Sequence, residues 1–226
     1  RLRALPLSVL IPIGSNIRAD AASAVLRPDS TGTFEIVYFG LVNRGKGLDQ
    51  LLEALAGLRS DGLPAHLTII GSAGSSDPTN QAYEAELRGK VPELNLSDHV
   101  AFTGFLPEAE VDALLQHADA VALPFLDGAS LRRGSLLAAL RAGCAIVTTT
   151  PTVRVEAFSD EDSMLLVAPG DTAALNTALA RLAADPALRT RLRAGAAKAS
   201  EQFSWPAIAA AAAEFFGRVL AGKGVL

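Results

Sequence analysis

The 226-residue sequence has a single cysteine, no long uncharged hydrophobic run and no excess of basic residues. One cysteine, Cys144, excludes an intrachain disulfide and fits a reducing compartment, and its setting in AGCAIV favours packing at the start of a buried strand over catalysis. Without an apolar run of about 18 residues, no membrane-spanning segment is expected. The net charge of −4 argues against a nucleic-acid partner.

The histidines and the first residues exclude further classes. His66, His99 and His117 have a spacing that matches neither a metal site nor a catalytic triad, so we predict no metal. The opening RLRALPLSVLIPI has neither a signal-peptide layout nor a transit-peptide composition, which predicts a cytoplasmic location. Because the chain opens directly into the strand-like LSVLIPI, we expect it to be a fragment.

What the sequence does have is a regular alternation of apolar strands and helical patterns. It is 50% apolar and 19% charged, as globular chains are. From Phe34 onward the strand-like runs are FEIVYFG, HLTIIGS, VAFTGF, AVALPF, AIVTT and MLLVAP. We therefore predict an α/β fold, a doubly wound parallel sheet of Rossmann-like type, whose ligands bind beyond the carboxyl ends of the strands.

Helix caps are predicted at Asp171 and at Asp185 before a proline, and Ser204-Trp205-Pro206 is predicted to open the last helix. Asp77-Pro78 is interpreted as a loop tip. The last helix, AIAAAAAEFFGRVLA, is apolar enough to predict packing against another layer.

The segment 124–147 has the layout of an anion site. A strand ends at Pro124, a loop of small residues follows, and a helix is predicted from about Leu131. Backbone N–H groups at a helix start favour a phosphate. We therefore assign phosphate binding to Gly128, Ala129, Ser130 and Leu131.

The order of the motifs resembles the carboxyl-terminal, donor-binding half of GT-B glycosyltransferases, specifically the group 1 (family 4) retaining enzymes. The resemblance runs from about Leu7 to Ala221 and rests on IPIGSNI, FGLVNRGKGLDQLLEAL, LTIIGSAG, VAFTGFLPEAEVDALLQHADAVALPF and the closing helices. It implies three parts: a leading strand and linker over 1–33 from a missing amino-terminal domain, a nucleotide-sugar domain over 34–203, and a carboxyl-terminal helix over 204–226.

The resemblance also implies roles for residues after the first strand. Lys46 contacts the donor diphosphate, while Gly45 and Gly47 on either side of it let the backbone approach closely. Gly40 and Gly45 are assigned to the donor-binding residues. The alternative is that Lys46 and Arg44 form a solvated charge pair in a loop. The family has an arginine where Leu41 stands, so one of its two usual cations is missing here.

The nucleobase pocket is implied to be formed by the next two strand ends. These residues are Gly71, Ser72, Gly104 and Phe105, with Phe105 against the base. The alternatives are an ordinary turn closing a strand at Gly71 and Ser72, and a core aromatic at Phe105.

The central loop departs from the family. Its two glutamates, one near the donor sugar and one gripping the ribose, fall on Ser130 and Ala138. Arg132 and Arg133, expected in the first helical turn, oppose the helix dipole unless an anion neutralises them. We assign them to the diphosphate, the alternative being surface arginines paired with acids.

Two acids complete the candidate site. Asp127 either contacts sugar hydroxyls or belongs to an Asp-Gly turn. Glu156 lies either near the sugar or ribose or on the surface at a helix start.

The resemblance implies transfer of a sugar from a nucleotide diphosphate sugar to a hydroxyl acceptor, with retention and without a further cofactor. The resemblance implies that the acceptor is held by the missing amino-terminal domain, so the fragment alone is expected to be inactive. The cytoplasmic location is compatible with a peripheral position at the inner face of the membrane. The missing glutamates favour an alternative, a non-catalytic nucleotide-binding or assembly module. A third interpretation, a sugar-phosphate epimerase, needs acids and a histidine that we cannot place.

Overall fold

The chain folds into a parallel sheet covered by helices on both faces. A computed structural model describes residues 9, 11–14 and 32–221. Its six strands are β1 (Phe34–Phe39), β2 (Ala65–Ile70), β3 (Val100–Gly104), β4 (Ala120–Leu123), β5 (Ile146–Thr149) and β6 (Leu165–Val167). They lie in the order β3-β2-β1-β4-β5-β6, and every pairing is parallel. The predicted doubly wound sheet is confirmed.

The helices within the described ranges follow the predicted apolar patterns. They are α1 (Leu48–Ser60), α2 (Pro78–Glu93), α3 (Glu108–His117), α4 (Gly134–Arg141), α5 (Thr172–Ala184), α6 (Pro186–Ser200) and α7 (Trp205–Leu220), with short 3-10 turns at Arg44–Lys46 and Glu201–Phe203. None of the helices in these ranges combines the length and hydrophobicity needed to cross a bilayer.

The core lies on both faces of the central strands. All residues of β4 and β5 are buried, which explains why neither strand alternates exposed polar with buried apolar residues. The two threonines that end β5 bond internally, since Thr148 donates its hydroxyl to the Leu123 carbonyl and Thr149 donates to the Phe125 carbonyl. Helix α1 packs against α5, and α4 packs against α6. Cys144 is buried, and its thiol donates to the Leu115 carbonyl, so its predicted packing role is confirmed.

Side-chain caps define several helix starts. Asp171 accepts a hydrogen bond from the Ala174 N–H and Asp185 from the Leu188 N–H, as predicted, and Ser204 accepts one from the Ala207 N–H at the predicted start of the last helix. The interpretation of Asp77-Pro78 as a loop tip is wrong. Asp77 caps α2 by accepting from the Thr79 N–H, because Pro78 is already shaped for a first helical turn.

The two ends of the chain differ from expectation. Residues 11–14 form neither helix nor strand, and the rest of the predicted strand LSVLIPI, apart from Val9, lies outside the described residues. No residue of α7 is buried, so its predicted packing against another layer is not found within the described chain. Trp205 lies against Gly14, since a Cβ built on that glycine would be 2.9 Å from the indole.

Candidate functional site

A cavity of about 660 Å³ opens beyond the carboxyl ends of β1 and β2. Its walls come from the segment after β1, the ends of β2 and β3, the start of α3, and the segment that leads into α4. The sheet order reverses between β1 and β4, so the cavity lies at the switch point where ligands bind in such sheets.

Bare backbone forms part of the wall between β1 and β2. Gly71 has a φ of 118°, and a Cβ there would lie 2.1 Å from the Gly40 carbonyl oxygen. The Gly71 N–H donates to the Gly104 carbonyl at 2.8 Å. Gly40 and Gly71 line the cavity, whereas Gly104 does not.

Lys46 faces the cavity from the 3-10 turn after β1. It is half-buried, and its ammonium lies 5.1 Å from the centre of the Phe125 ring. Burial lowers the pKa of Lys46, and the nearby Arg133 guanidinium lowers it further. A bound anion would oppose both effects, because it favours the charged ammonium.

Arg44, two residues earlier, turns away from the cavity. Its guanidinium pairs with Glu86 on α2 and stacks 4.8 Å from the centre of the Tyr83 ring. Gly45 does not line the cavity either. Its carbonyl accepts from the Leu126 N–H at 3.0 Å, and this bond ties the central loop to the turn that presents Lys46.

Arg132 and Arg133 both line the cavity, but not from inside a helix. The Arg133 N–H closes a turn onto the Ser130 carbonyl at 3.1 Å, and helical bonding begins with the Leu136 N–H on the Arg133 carbonyl. Helix α4 therefore begins at Gly134, three residues after the predicted start at Leu131. The turn at Ser130 delays it.

The start of α4 has no side-chain cap. Gly134 and Ser135, whose N–H groups have no earlier helical carbonyl to bond, line the cavity. This helix start and three cations, Lys46, Arg132 and Arg133, border one cavity. The arrangement favours an anion.

The predicted phosphate loop lies deeper than the sequence indicates. The Gly128 N–H donates to the Phe125 carbonyl and the Ala129 N–H to the Thr149 carbonyl, so both amides are used inside the protein. None of Gly128, Ala129, Ser130 and Leu131 borders the cavity, whose lining from this segment begins at Arg132.

Asp127 holds an arginine instead of lining the cavity. Its carboxylate pairs with Arg133, and its side chain is 70% exposed. The Arg133 guanidinium also lies 4.6 Å from the Phe125 ring centre, and its Nε is buried with no hydrogen-bond partner in the described chain. Asp127 and Phe125 thus orient Arg133.

Three other predicted residues have different surroundings. Phe105 lines the cavity and is 69% exposed, so it is a rim residue and not part of the core. Ser72 lies outside, in a depression of about 260 Å³ beside Arg88. Glu156 is exposed in a turn after β5 where no helix begins, and it does not border the cavity.

Glu108, Val111 and Ser135 also line the cavity, although the sequence did not lead us to expect them there. Glu108 carries the one carboxylate among the described lining residues. An acid in a first helical turn has an ordinary explanation in the helix dipole, so no sequence signal distinguishes Glu108. Ala138 lines the cavity with only a methyl group.

The described residues contain no group of His, Cys, Asp and Glu able to hold a metal ion. The side chains that line the cavity offer a ligand three cations, the Glu108 carboxylate and the Ser135 hydroxyl.

Comparison with protein families matches residues 27–199 to the group 1 glycosyl transferases. Among curated proteins, glycogen synthase from Mycobacterium tuberculosis is 29% identical over 213 residues, which are 93% of this chain and 49% of that protein. The chain thus spans about half the length of this relative.

Solved structures share the fold. Sucrose-phosphate synthase from Thermosynechococcus elongatus has a TM-score of 0.75 at 27% identity, covering 95% of this chain and 53% of that one. HepE from Anabaena, solved in complex with UDP and glucose, has a TM-score of 0.71 at 22% identity, covering 82% and 48%.

Proposed function

We propose that this chain, which belongs to the group 1 glycosyl transferases, binds a nucleotide diphosphate sugar as the donor half of a retaining glycosyltransferase. The observation that carries the proposal is the convergence of Lys46, Arg132 and Arg133 with the uncapped start of α4 on one cavity at the switch point. A diphosphate matches this surface in charge and in its need for several hydrogen-bond donors.

The two ends of the cavity suit the two ends of such a donor. The cations and the α4 amides suit the diphosphate, and the exposed ring of Phe105 suits stacking against a nucleobase. HepE, which shares the fold, was solved with UDP and glucose, and this is consistent with the assignment.

In this proposal the protein accelerates transfer by stabilising the leaving group. As the bond from the anomeric carbon to the diphosphate breaks, negative charge builds on the phosphate oxygens. Lys46, the two arginines and the start of α4 already border the cavity in which that charge develops, so little reorganisation is needed. No protein side chain acts as nucleophile. The acceptor oxygen bonds to the anomeric carbon on the face that the diphosphate leaves, which retains the configuration, and the hydroxyl proton passes to the departing phosphate oxygen.

We propose that the acceptor binds a second, amino-terminal domain, that this chain alone does not turn over, and that no further cofactor takes part. The cytoplasmic location and the peripheral membrane position stay predictions.

One observation favours a second candidate, a nucleotide-binding or assembly module without catalysis. Ala138 lines the cavity where the family resemblance places a carboxylate, and Ser130 stands at the other such position. A site with cations but without those acids can hold a diphosphate and still fail to orient the sugar.

Calorimetric titration of the chain with UDP, GDP and ADP tests nucleotide binding, which both candidate functions require. We expect saturable binding of at least one nucleotide, weakened about tenfold or more by Lys46→Ala or Arg132→Ala, since a hydrogen bond to a charged group contributes about 1.5–3 kcal/mol. Arg141→Ala, at the far end of α4 and outside the cavity, is the matched control and should bind as the native chain does. Equal weakening in the control would show that general charge, and not the site, binds the nucleotide.

Adding a donor sugar and acceptor to the full-length protein separates the two candidates. Turnover that Lys46→Ala lowers supports the transferase. Nucleotide binding without turnover of any UDP-, GDP- or ADP-sugar supports the module.

A further inference from the structure

We propose that Asp127 is an internal counter-ion of Arg133 with which a donor diphosphate competes, so that Asp127 limits how tightly the site holds a nucleotide. This inference rests on the proposed function. The Asp127 carboxylate pairs with the Arg133 guanidinium. Asp127 does not border the cavity, whereas Arg133 does. One guanidinium thus meets an acid of the chain outside the cavity and also borders the space that a ligand would occupy.

Arg133 is held at the cavity by packing as well as by Asp127. Its guanidinium lies 4.6 Å from the centre of the Phe125 ring, and that ring is fully buried. The Arg133 side chain is only 19% exposed, whereas the Asp127 side chain is 70% exposed. Stacking on an aromatic face keeps a planar guanidinium in place without an acid. We therefore expect the loss of the Asp127 charge to leave Arg133 at the cavity.

Arg133 also has hydrogen-bonding capacity that Asp127 does not use. The salt bridge to Asp127 involves one terminal nitrogen of the guanidinium, and the Arg133 Nε is buried with no hydrogen-bond partner in the described chain. A guanidinium carries five N–H donors in a fixed plane. A phosphate in the cavity can therefore bond to Arg133 while the carboxylate is still nearby.

The charge of Asp127 acts on both cations that contact the Phe125 ring. Lys46 lies 5.1 Å from the centre of that ring, close to Arg133. Burial lowers the pKa of Lys46 most and Arg133 lowers it further, whereas Asp127 acts to raise it. Asp127 thus offsets the repulsion between the two cations. A diphosphate offsets the same repulsion, but it also repels Asp127, because both are negatively charged.

This competition has a consequence for the proposed reaction. A carboxylate beside the cations weakens the binding of every diphosphate that the cavity takes, including the nucleoside diphosphate that remains after sugar transfer. Asp127 therefore favours release of the product at the expense of affinity for the donor.

Calorimetric titration with UDP, GDP and ADP tests this role in the native chain, Asp127→Asn, Arg133→Ala and the double variant. Asp127→Asn keeps the shape of the side chain and removes its charge. Glu161→Gln is the matched control, because Glu161 forms an exposed ion pair with Arg181 and neither residue borders the cavity.

We expect Asp127→Asn to bind the nucleotide about fivefold more tightly than the native chain, which is the size of a coupling between exposed charges. In the Arg133→Ala background the same substitution should change the affinity by less than about twofold, because the guanidinium for which the two anions compete is gone. Glu161→Gln should bind as the native chain does.

Three results would overturn the proposal. Weaker binding by Asp127→Asn would show that the carboxylate positions Arg133 for the ligand. Unchanged binding would show that the two anions do not compete. An equal gain in the Arg133→Ala background, or in Glu161→Gln, would show a general effect of net charge.

The two proposals fail in different ways. If none of the three nucleotides binds the native chain, the donor site itself is refuted and the role of Asp127 with it. If Lys46→Ala weakens binding but Asp127→Asn does not strengthen it, only the role of Asp127 is refuted.

Discussion

Gly47 joins the Lys46 turn to α1 directly beneath the central loop. Its φ is 70°, and a Cβ there would lie 2.0 Å from the Pro124 carbonyl oxygen. Gly47→Ala therefore adds two penalties, a left-handed conformation of about 1–2 kcal/mol and overpacking against backbone of about 1–3 kcal/mol. Gly62→Ala is the matched control, because Gly62 has a φ of 84° and a Cβ added to it would meet nothing within 4 Å.

Urea denaturation followed by circular dichroism measures both variants. We expect Gly47→Ala to lose about 1–3 kcal/mol more unfolding free energy than Gly62→Ala, which is the overpacking contribution alone. Because Gly47 follows Lys46, its substitution should also weaken nucleotide binding, which Gly62→Ala should leave unchanged. Equal destabilisation by the two substitutions would refute the close approach of Gly47 to Pro124.

Two further predictions concern stability away from the cavity. A Cβ on Gly195 of α6 would lie 1.9 Å from the Asp162 carbonyl oxygen, whereas one on Gly89 of α2 would meet nothing within 4 Å. In urea denaturation we expect Gly195→Ala to lower the unfolding free energy by about 1–3 kcal/mol and Gly89→Ala to raise it by up to about 1 kcal/mol. The opposite order would contradict the packing of α6. Burial acts to raise the pKa of Asp49, but hydrogen bonds from Lys90 and Tyr83 outweigh it and hold that pKa below its usual value. The stability that Asp49 contributes is thus present above the unfolded pKa of about 3.9 and is lost as the pH falls through the folded pKa. The loss of unfolding free energy in Asp49→Asn should therefore be largest near pH 7 and shrink below about pH 4. A loss that does not vary with pH would contradict this assignment.

The fold could be predicted from the sequence because its signals are local. Each strand is a short apolar run followed by a helical pattern, and caps such as Asp171 and Asp185 act on amides three residues away. The start of α4 was misplaced because the residues after Leu131 suit a helix. The turn of Arg133 onto Ser130, and the placing of Arg133 by Asp127 and Phe125, arise from tertiary packing of the loop.

The candidate site was predicted only in part, for a related reason. Lys46, Arg132, Arg133, Gly40, Gly71 and Phe105 lie together because they follow or flank strands that end at one edge of the sheet. Gly128, Ala129 and Glu156 follow strand ends as well, yet none of them borders the cavity. Gly128 and Ala129 are buried in the protein, and Glu156 is exposed to solvent. Position after a strand indicates the edge, but the path of each loop decides which side chain reaches the ligand. Glu108 shows the converse, since only the placement of α3 brings it to the cavity.

A crystal structure of this chain with the tightest-binding of UDP, GDP and ADP tests the donor site most directly. We predict phosphate oxygens within hydrogen-bonding distance of Lys46 and of the N–H groups at the start of α4, with the base against Phe105. A nucleotide bound elsewhere, for example in the depression beside Ser72 and Arg88, would contradict the proposed donor site.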